Sequence, residues 1–200
     1  HARILELLEG YPDITAQRIF EELEAVGYDG GYTAVKDHVR RLRPRSAPEP
    51  SKETPKYGPG TMAESDWSPY SIKFTHAPRA LVQAFSYVLT YSTRKHFALY
   101  ERSDLHALMD GHVAAFERFG GAAHECKYDN QKAVVLGREG GQPIYNPRFL
   151  AFSTHYDFRP VACRPRRPND KPRVERAFWE FERSFLNGRE FRDLDDMRVQ

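Results

Sequence analysis

Cysteine is scarce in this sequence, which has only Cys126 and Cys163. Their spacing forms neither a CxxC motif nor a disulfide framework, so a small secreted domain held by disulfides is excluded. The chain also lacks an apolar run of the roughly 18 to 20 residues that a membrane span needs. No signal sequence of basic, apolar and small residues opens it. We therefore expect a soluble protein of the reducing cytoplasm, in which both cysteines are small buried strand residues.

Several enzyme motifs are missing as well. The eight histidines form no HxxxH pair and no His/Cys zinc pattern, and no GxSxG motif supports a hydrolase triad. The glycine-rich residues 137–141 are not followed by the Lys-Ser or Lys-Thr of a phosphate-binding loop. These absences argue against a zinc enzyme, a serine hydrolase and ATP binding. We interpret residues 137–141 as a hairpin or surface turn, and His112, on an apolar helix stripe, as a packed core histidine.

The apolar content of 40% is enough for a core. Charge of one sign is not in large excess, because the net charge is only +2. The distribution of charge is more informative. Residues 159–176 contain seven Lys or Arg against two acidic residues, and residues 33–48 contain five against one. Two basic segments on a nearly neutral chain favour contact with nucleic acid.

Three short helices are predicted in the first 43 residues. Thr15 is the expected N-cap of the second helix, which stops at Gly27, and the third opens near Thr33. The periodicity of the third helix buries its apolar side chains and exposes its basic ones, the former being Val35, Val39 and Leu42 and the latter Lys36, Arg40, Arg41 and Arg43. This pattern predicts a helix-turn-helix whose last helix enters the DNA major groove. A small helical bundle with a solvated basic face is the alternative.

The domain organisation follows from a change in composition. Residues 44–60 are rich in Pro, Ser, Glu, Lys and Gly, which is typical of a linker. We therefore predict a helix-turn-helix DNA-binding domain over 1–43, a linker over 44–60 and a catalytic core over 61–190. Residues 191–200 would begin a truncated C-terminal region, because the chain starts at His1 and stops in a charged stretch, which we interpret as a fragment.

The second region alternates between strands and helices. Strands are predicted over 62–70, 71–75, 84–91, 95–101, 124–128 and 158–163. Helices are predicted from an N-cap at Ser103 to Gly120-Gly121, over 147–156, and from about Asp170 to before Gly188, with a glycine-rich loop at 137–142. This order predicts an α/β fold with a ribonuclease H-like core, preceded by the small all-α domain.

Three carboxylates stand out from the other acidic residues by their settings. Asp66 lies beside Trp67 in the first strand, Asp129 follows a later strand, and Glu175 opens the last helix among arginines. Carboxylates of this kind can hold two Mg²⁺ ions about 3.5 to 4 Å apart for phosphodiester chemistry. The alternative for Glu175 is an exposed, salt-bridged helix end.

The motifs now identify a family. The sequence resembles the IstA-type transposases of the insertion sequence 21 family, within the DDE transposase and retroviral integrase superfamily. The resemblance rests on Tyr32-Thr33-Ala34-Val35-Lys36, Asp66-Trp67, Phe116-Glu117-Arg118-Phe119-Gly120-Gly121, Tyr128-Asp129-Asn130-Gln131-Lys132, Asn146-Pro147-Arg148-Phe149 and Cys163-Arg164-Pro165-Arg166-Arg167-Pro168. It departs from the family at Ser68 and Pro172, where glycine is usual.

The resemblance implies an activity and a site. Asp66, Asp129 and Glu175 become the catalytic residues and the ligands of two Mg²⁺ ions, for which Mn²⁺ can substitute. The implied reaction is metal-dependent cleavage of transposon ends followed by strand transfer into target DNA. Alternatives are a truncated, non-catalytic DNA-binding remnant and a generic nuclease of the same fold.

The resemblance also implies partners. These are DNA, both transposon ends and target, further copies of the chain assembled on that DNA, and a helper AAA+ ATPase, with no membrane. The expected location is the cytoplasm, with the bacterial nucleoid. The expected DNA contacts are Lys36, Arg40, Arg41, Arg43, Lys132, Arg164, Arg166, Arg167, Lys171 and Arg173.

Overall fold

The computed structural model describes residues 1–43, 57–163 and 171–200. Most of the predicted linker, and Arg164, Arg166 and Arg167 of the second basic segment, lie outside the described residues. The described chain divides into two compact units. Of the described residues, one unit contains 1–43 and Trp179–Glu190, and the other contains 57–163, 171–178 and Phe191–Gln200.

The first unit contains the three predicted helices, α1 (Ala2–Gly10), α2 (Ala16–Ala25) and α3 (Tyr32–Leu42). The side chain of Thr15 accepts a hydrogen bond from the Arg18 N–H at 3.1 Å, which confirms it as the N-cap of α2. The core of this unit consists of Ile4, Leu7, Ile14, Ile19, Leu23, Val35 and Val39. Leu42 was expected in that core, but it lies in the last turn of α3 and is 36% exposed.

The second unit is built on a five-stranded mixed sheet. Its strands are β1 (Met62–Ile72), β2 (Ala80–Leu89), β3 (Lys95–Tyr100), β4 (Glu125–Tyr128) and β7 (Arg159–Ala162), in the order β3-β2-β1-β4-β7. The pairs β1–β2 and β2–β3 are antiparallel, whereas β1–β4 and β4–β7 are parallel. The strands predicted at 62–70 and 71–75 therefore form one continuous strand up to Ile72.

Two further strands replace the predicted loop. Residues 137–142 fall within a hairpin of β5 (Val135–Glu139) and β6 (Gln142–Tyr145). The turn is made by Gly140 and Gly141, at φ of 55° and 81°, which is backbone that favours glycine. The interpretation of residues 137–141 as a hairpin is confirmed, and of the glycine-rich loop predicted at 137–142 only Gly140 and Gly141 lie outside the two strands.

The helices of the second unit cover the sheet. They are α4 (Leu105–Phe119), α5 (Pro147–His155), the first part of α6 (Pro172–Phe181) and α7 (Leu194–Val199). Asp104, and not Ser103, caps α4, because its Oδ1 accepts from the Ala107 N–H at 2.9 Å. α4 ends at Gly120, as predicted, and Gly120 adopts the left-handed conformation.

The C-terminal part of the chain is divided between the two units in a way that the predicted domains did not anticipate. The last turn of α6 and the π-helical turn Glu182–Leu186 belong to the first unit, where the Arg183 carbonyl accepts from the Thr15 N–H at 3.2 Å. The final segment instead belongs to the second unit, where Arg198 Nε donates to the Leu99 carbonyl at 3.0 Å. The end of the linker at residue 60 and the bounds of the catalytic core at 61 and 190 stay predictions.

An aromatic core surrounds His112, which is fully buried as predicted. Its Nδ1 lies 2.7 Å from the Leu108 carbonyl, so Nδ1 carries the proton and Nε2 accepts from the Tyr128 hydroxyl at 2.8 Å. Burial lowers the pKa of His112 to about 4. Both cysteines are buried thiols, and neither forms a disulfide with a described residue. Within the described ranges, every helix is too short or too polar to cross a bilayer.

Candidate active site and nucleic-acid surface

Asp66 and Asp129 come from neighbouring parallel strands. Met62 to Glu64 pair in register with Glu125 to Lys127, and Asp66 and Asp129 each follow the last paired residue of their strand by two positions. Residues in register on adjacent strands project to the same face of a sheet. Asp66 is partly exposed in the middle of β1, and Asp129 is exposed one residue beyond β4. This agrees with the predicted positions of the two aspartates.

Backbone amides orient both aspartates. Asp66 Oδ1 accepts from the Trp67 N–H at 3.0 Å, and Asp129 Oδ1 accepts from the Asn130 N–H at 2.8 Å. Each bond uses only part of the acceptor capacity of a carboxylate, which has about four lone-pair sites. Both aspartates therefore keep oxygen lone pairs for a further ligand.

Glu175 lies in the first turn of α6, as predicted, and is exposed. The neighbouring side chains on the other side of the helix are buried, with Val174 at 0%, Ala177 at 3% and Phe178 at 9% exposure. These residues form a buried apolar stripe along the first two turns of the helix. Burial of this stripe packs the first part of α6 into the second unit and leaves Glu175 on the exposed side of the helix.

The start of α6 is hydrogen-bonded to β1. Glu64 Oε2 accepts from the backbone N–H groups of Arg173 at 2.9 Å and Val174 at 3.0 Å. Lys171 Nζ lies 3.4 Å from the Ser65 carbonyl and 2.7 Å from Asp66 Oδ2. Three successive residues of β1 thus contact the beginning of the helix that carries Glu175.

Glu64 was missed by the sequence reasoning. It is 1% exposed, and burial raises its pKa, an effect opposed by the two backbone hydrogen bonds and by the charges of Lys127 and Arg173. A signal existed in the sequence, because a Glu two residues before Asp66 in a strand projects to the same face. Its helical partners are far away in the sequence, so nothing local identified them.

Lys171 also differs from its expected surroundings. It was predicted to contact DNA, but its side chain is only 9% exposed and its ammonium pairs with Asp66. The ammonium of Lys171 therefore lies beside Asp66, which was predicted to be a metal ligand. The donors fit Mg²⁺ by their chemistry, since carboxylates are hard oxygen ligands. In the described part of the chain, no three His, Cys, Asp or Glu residues form a group that could hold a metal.

The basic side chains of α3 divide into two kinds. Lys36, Arg40 and Arg41 are exposed, and we call them the α3 basic face. Arg40 also pairs with Asp37 at 3.2 Å, which is an exposed contact of small energy. Arg43 instead donates through Nη2 to the Ile14 carbonyl inside the first unit. Arg43 therefore stabilises the unit, in contrast to its predicted role at the DNA.

A second polar cluster lies beside Asp129. Arg138 Nη2 donates to Asn130 Oδ1 at 2.9 Å and to the Cys163 carbonyl at 2.8 Å, and Asn130 Nδ2 donates to the same carbonyl at 3.2 Å. Asn130 and Arg138 were not predicted to have a role. They fix the residue that directly precedes the arginines at 164, 166 and 167. Lys132 is exposed in the connection that follows Asp129.

Comparison with known proteins gives a consistent set of relatives. The chain is 32% identical to the transposase of IS640 from Shigella sonnei, over 84% of the chain and 53% of that protein. It is 32% identical to the IS21 transposase of Pseudomonas aeruginosa, over 84% of the chain and 43% of that protein. An IS21-like transposase of Bacteroides fragilis is 28% identical over 96% of the chain and 40% of its own length. The chain thus spans about half the length of these relatives. No protein-family model matches it.

Solved structures agree on the fold. A chain of the simian T-cell lymphotropic virus intasome, in complex with PP2A regulatory subunit B56 gamma, has a TM-score of 0.58 at 15% identity, covering 90% of this chain and 62% of that one. The trimeric HTLV-2 integrase catalytic core domain in complex with magnesium has a TM-score of 0.50 at 17% identity, covering 64% and 70%. The predicted α/β, ribonuclease H-like class of the core is confirmed.

Proposed function

This chain is homologous over most of its length to transposases of insertion sequences, IS21 among them, and we propose that it carries the DNA-binding and catalytic parts of such an enzyme. One observation supports the catalytic part most directly. It is the approach of the start of α6 to β1 beside the end of β4, which brings together the segments that carry Asp66, Asp129 and Glu175.

The three carboxylates are the proposed ligands of two Mg²⁺ ions, with Mn²⁺ as a substitute. Divalent ions held by such carboxylates activate an attacking oxygen and stabilise a leaving oxygen. The backbone N–H groups of Trp67 and Asn130 orient the Asp66 and Asp129 carboxylates. Lys171 offsets the charge of Asp66 in the free chain. Magnesium in the HTLV-2 integrase core, which shares the fold, supports this choice of metal.

The proposed reaction has two phosphodiester steps. In the first, water attacks the phosphorus at the transposon end, and the bond to the 3′ oxygen breaks to free a 3′ hydroxyl. In the second, that hydroxyl attacks a target phosphodiester, so one P–O bond forms as another breaks. Neither step needs a covalent protein intermediate.

DNA contact is assigned to exposed basic side chains. The α3 basic face would contact the transposon end, since basic side chains on a helix supply both phosphate contacts and base readout. Lys132 and the basic run, defined as Arg164, Arg166, Arg167 and Arg173, would hold phosphates near the carboxylates. The Arg138 contacts support this proposal, because they hold the carbonyl of Cys163, the residue that precedes the run in the sequence.

Assembly and a helper protein are proposed from the relatives. The HTLV-2 integrase core has a trimeric form, and the simian virus chain belongs to an intasome. We propose that this chain also assembles with further copies of itself on DNA. Cooperation with an AAA+ ATPase, which the family resemblance implied, belongs to the same proposal.

The test uses the 200-residue chain with labelled transposon-end DNA, unlabelled target DNA and Mg²⁺. Products are separated on denaturing gels, which distinguish shortened strands from joined strands. Asp129→Asn is the test variant, and Glu117→Gln, an exposed carboxylate on α4, is the matched control. We expect cleaved and joined products with the unmodified chain and the control, and neither product with Asp129→Asn.

The other outcomes separate the alternatives. Shortened strands without joined strands would indicate a nuclease. Binding of the end without any cleavage would indicate a non-catalytic DNA-binding protein. Cleavage and joining by Asp129→Asn at the rate of the control would refute the assignment of this site.

A further inference from the structure

A buried acid lies next to the candidate active site without belonging to it. Glu64 is 1% exposed in β1, and the adjacent Ala63 and Ser65 are each 0% exposed. A buried carboxylate is costly unless it is hydrogen-bonded or paired. Its partners therefore explain why an acidic residue occupies this position.

Those partners are the first free amides of α6. The first four N–H groups of a helix have no partner within the helix, and a negative charge there is favourable. Glu64 Oε2 accepts from two of them, those of Arg173 and Val174. Glu64 is thus a side-chain cap of α6 that comes from another element.

This cap is unlike the other helix caps of the chain. The caps of α2, α4, α5 and α7 are Thr15, Asp104, Asn146 and Asp193, each of which directly precedes its own helix. Glu64 instead lies 109 residues before Arg173 in the sequence. A local cap stabilises a helix wherever it packs, whereas Glu64 also determines where the helix begins relative to β1.

The first turn of α6, which Glu64 caps, carries Glu175 of the candidate active site. Glu64 and Asp66 project to the same face of β1, because they are two residues apart in a strand. Glu175 follows the capped Val174 directly, and its own N–H donates to the Lys171 carbonyl at 3.3 Å. A displacement of the first turn of α6 would move Glu175 away from Asp66.

We propose that Glu64 is a positioning residue, which holds the first turn of α6 on β1 and so sets the distance between Glu175 and Asp66. The proposal rests on the proposed function, since it gives Glu64 a role in the site assigned there. Glu64 is assigned this role and not that of a ligand, because it is 1% exposed and its Oε2 accepts from the two amides.

The test compares two substitutions of nearly equal size. Glu64→Met fills the buried space but accepts no hydrogen bond, and Glu64→Gln keeps an oxygen acceptor without the charge. Amide hydrogen exchange at Arg173, Val174 and Glu175 reports the first turn of α6, and Mn²⁺ titration reports the site. Asp104→Ala, which removes the cap of α4, is the control for loss of a cap elsewhere in the same unit.

With Glu64→Met we expect exchange at the three amides to become about tenfold faster, the effect of losing a helix cap. The affinity for Mn²⁺ should fall about 10-fold or more, as for other groups that orient metal ligands. Glu64→Gln should stay within about threefold of the unmodified chain in both measurements. Asp104→Ala should change neither.

Each departure from this pattern has a defined meaning. Unchanged exchange in Glu64→Met, or faster exchange with unchanged Mn²⁺ affinity, would overturn the proposal. Glu64→Gln behaving as badly as Glu64→Met would overturn it too, since acceptance of the hydrogen bonds would not be the role of Glu64. If the unmodified chain binds no Mn²⁺, the proposed metal site fails, and amide exchange alone decides the role of Glu64.

The unmodified chain supplies a check if Glu64→Met does not fold. The first-turn amides of α6 should exchange more slowly than those of α3, whose N-cap Gly31 provides no side-chain hydrogen bond. Equal or faster exchange in α6 would refute the cap without any variant.

Discussion

The pairing of Asp66 with Lys171 predicts that Asp66→Asn changes stability as well as activity. The substitution removes the negative partner of an ammonium whose residue is only 7% exposed. The ammonium would keep the Ser65 carbonyl at 3.4 Å, a long and uncharged contact. A loss of activity in this variant would then have two causes to separate, the removal of a proposed metal ligand and a decrease in the stability of the fold.

The magnitude follows from the exposure of the two side chains. Breaking a fully buried ion pair costs about 3 to 5 kcal/mol, whereas an exposed pair contributes about 0 to 1 kcal/mol. The side chains here are 9% and 30% exposed, so the pair lies between these limits. We expect Asp66→Asn to lower the free energy of unfolding by about 1 to 3 kcal/mol, and Tm by about 3 to 10 °C.

A double-mutant cycle separates the two effects. Urea unfolding is measured for the unmodified chain, Asp66→Asn, Lys171→Met and the double variant. The double variant should recover part of the lost stability, with a coupling energy of about 1 to 2 kcal/mol, because no uncompensated charge remains buried. Cleavage of transposon-end DNA should stay absent in both variants that lack the Asp66 carboxylate, while end binding is kept.

Two results would refute this reasoning. Additive stability changes in the cycle would mean that the ion pair contributes nothing. Near-normal cleavage by Asp66→Asn, or by the stabilised double variant, would exclude Asp66 as a metal ligand.

Four further outcomes are expected. Glu175→Gln should abolish cleavage and joining with little loss of stability, because Glu175 is exposed; a large fall in Tm would contradict this. Alanine substitution of the α3 basic face should weaken end binding and lower its salt slope by about 1 for each lost phosphate contact, and unchanged salt dependence would assign the face to solvent. Arg166→Ala with Arg167→Ala should slow cleavage and joining at moderate salt and recover partly at low salt, with Mn²⁺ binding kept; normal rates at every salt concentration would refute the role of the basic run. Finally, burial lowers the pKa of His112 from 6.5 to about 4, so only the unfolded chain takes up this proton as the pH falls through that window. The free energy of unfolding should therefore fall by about 3 kcal/mol as the pH decreases from 6.5 to 4. In urea unfolding, His112→Gln should flatten this pH dependence.

Features with a local cause were predictable from the sequence. The helices α1 to α3, the Thr15 cap and the end of α4 at Gly120 depend on residues within one or two turns of each other. The buried stripe of α6 follows from its 3.6-residue period, and the burial of His112 follows from its place on an apolar helix face. The positions of Asp66, Asp129 and Glu175 on their elements also agreed with the pattern of strands and helices.

Features near element ends were predicted less well. Ser103 and Asp104 are both good capping residues, and only the observed hydrogen bond to Ala107 selects Asp104. The first strand was predicted to end at residue 70, but it continues to Ile72 and includes Pro69, where β4 no longer pairs with β1. At Pro69 the strand therefore needs a partner on one side only, where β2 supplies it, and a proline is tolerated.

The sequence by itself thus determined the family resemblance, the class of fold and the elements that carry the three carboxylates. Only the tertiary structure decided that Glu64 caps α6, that Lys171 pairs with Asp66, and that Arg138 holds the Cys163 carbonyl. The physical reason is the range of the interactions. Periodicity and local caps act over a few residues, whereas a buried charge must find a partner wherever the folded chain brings one. Glu64 finds its partners more than 100 residues away, on the helix that carries Glu175.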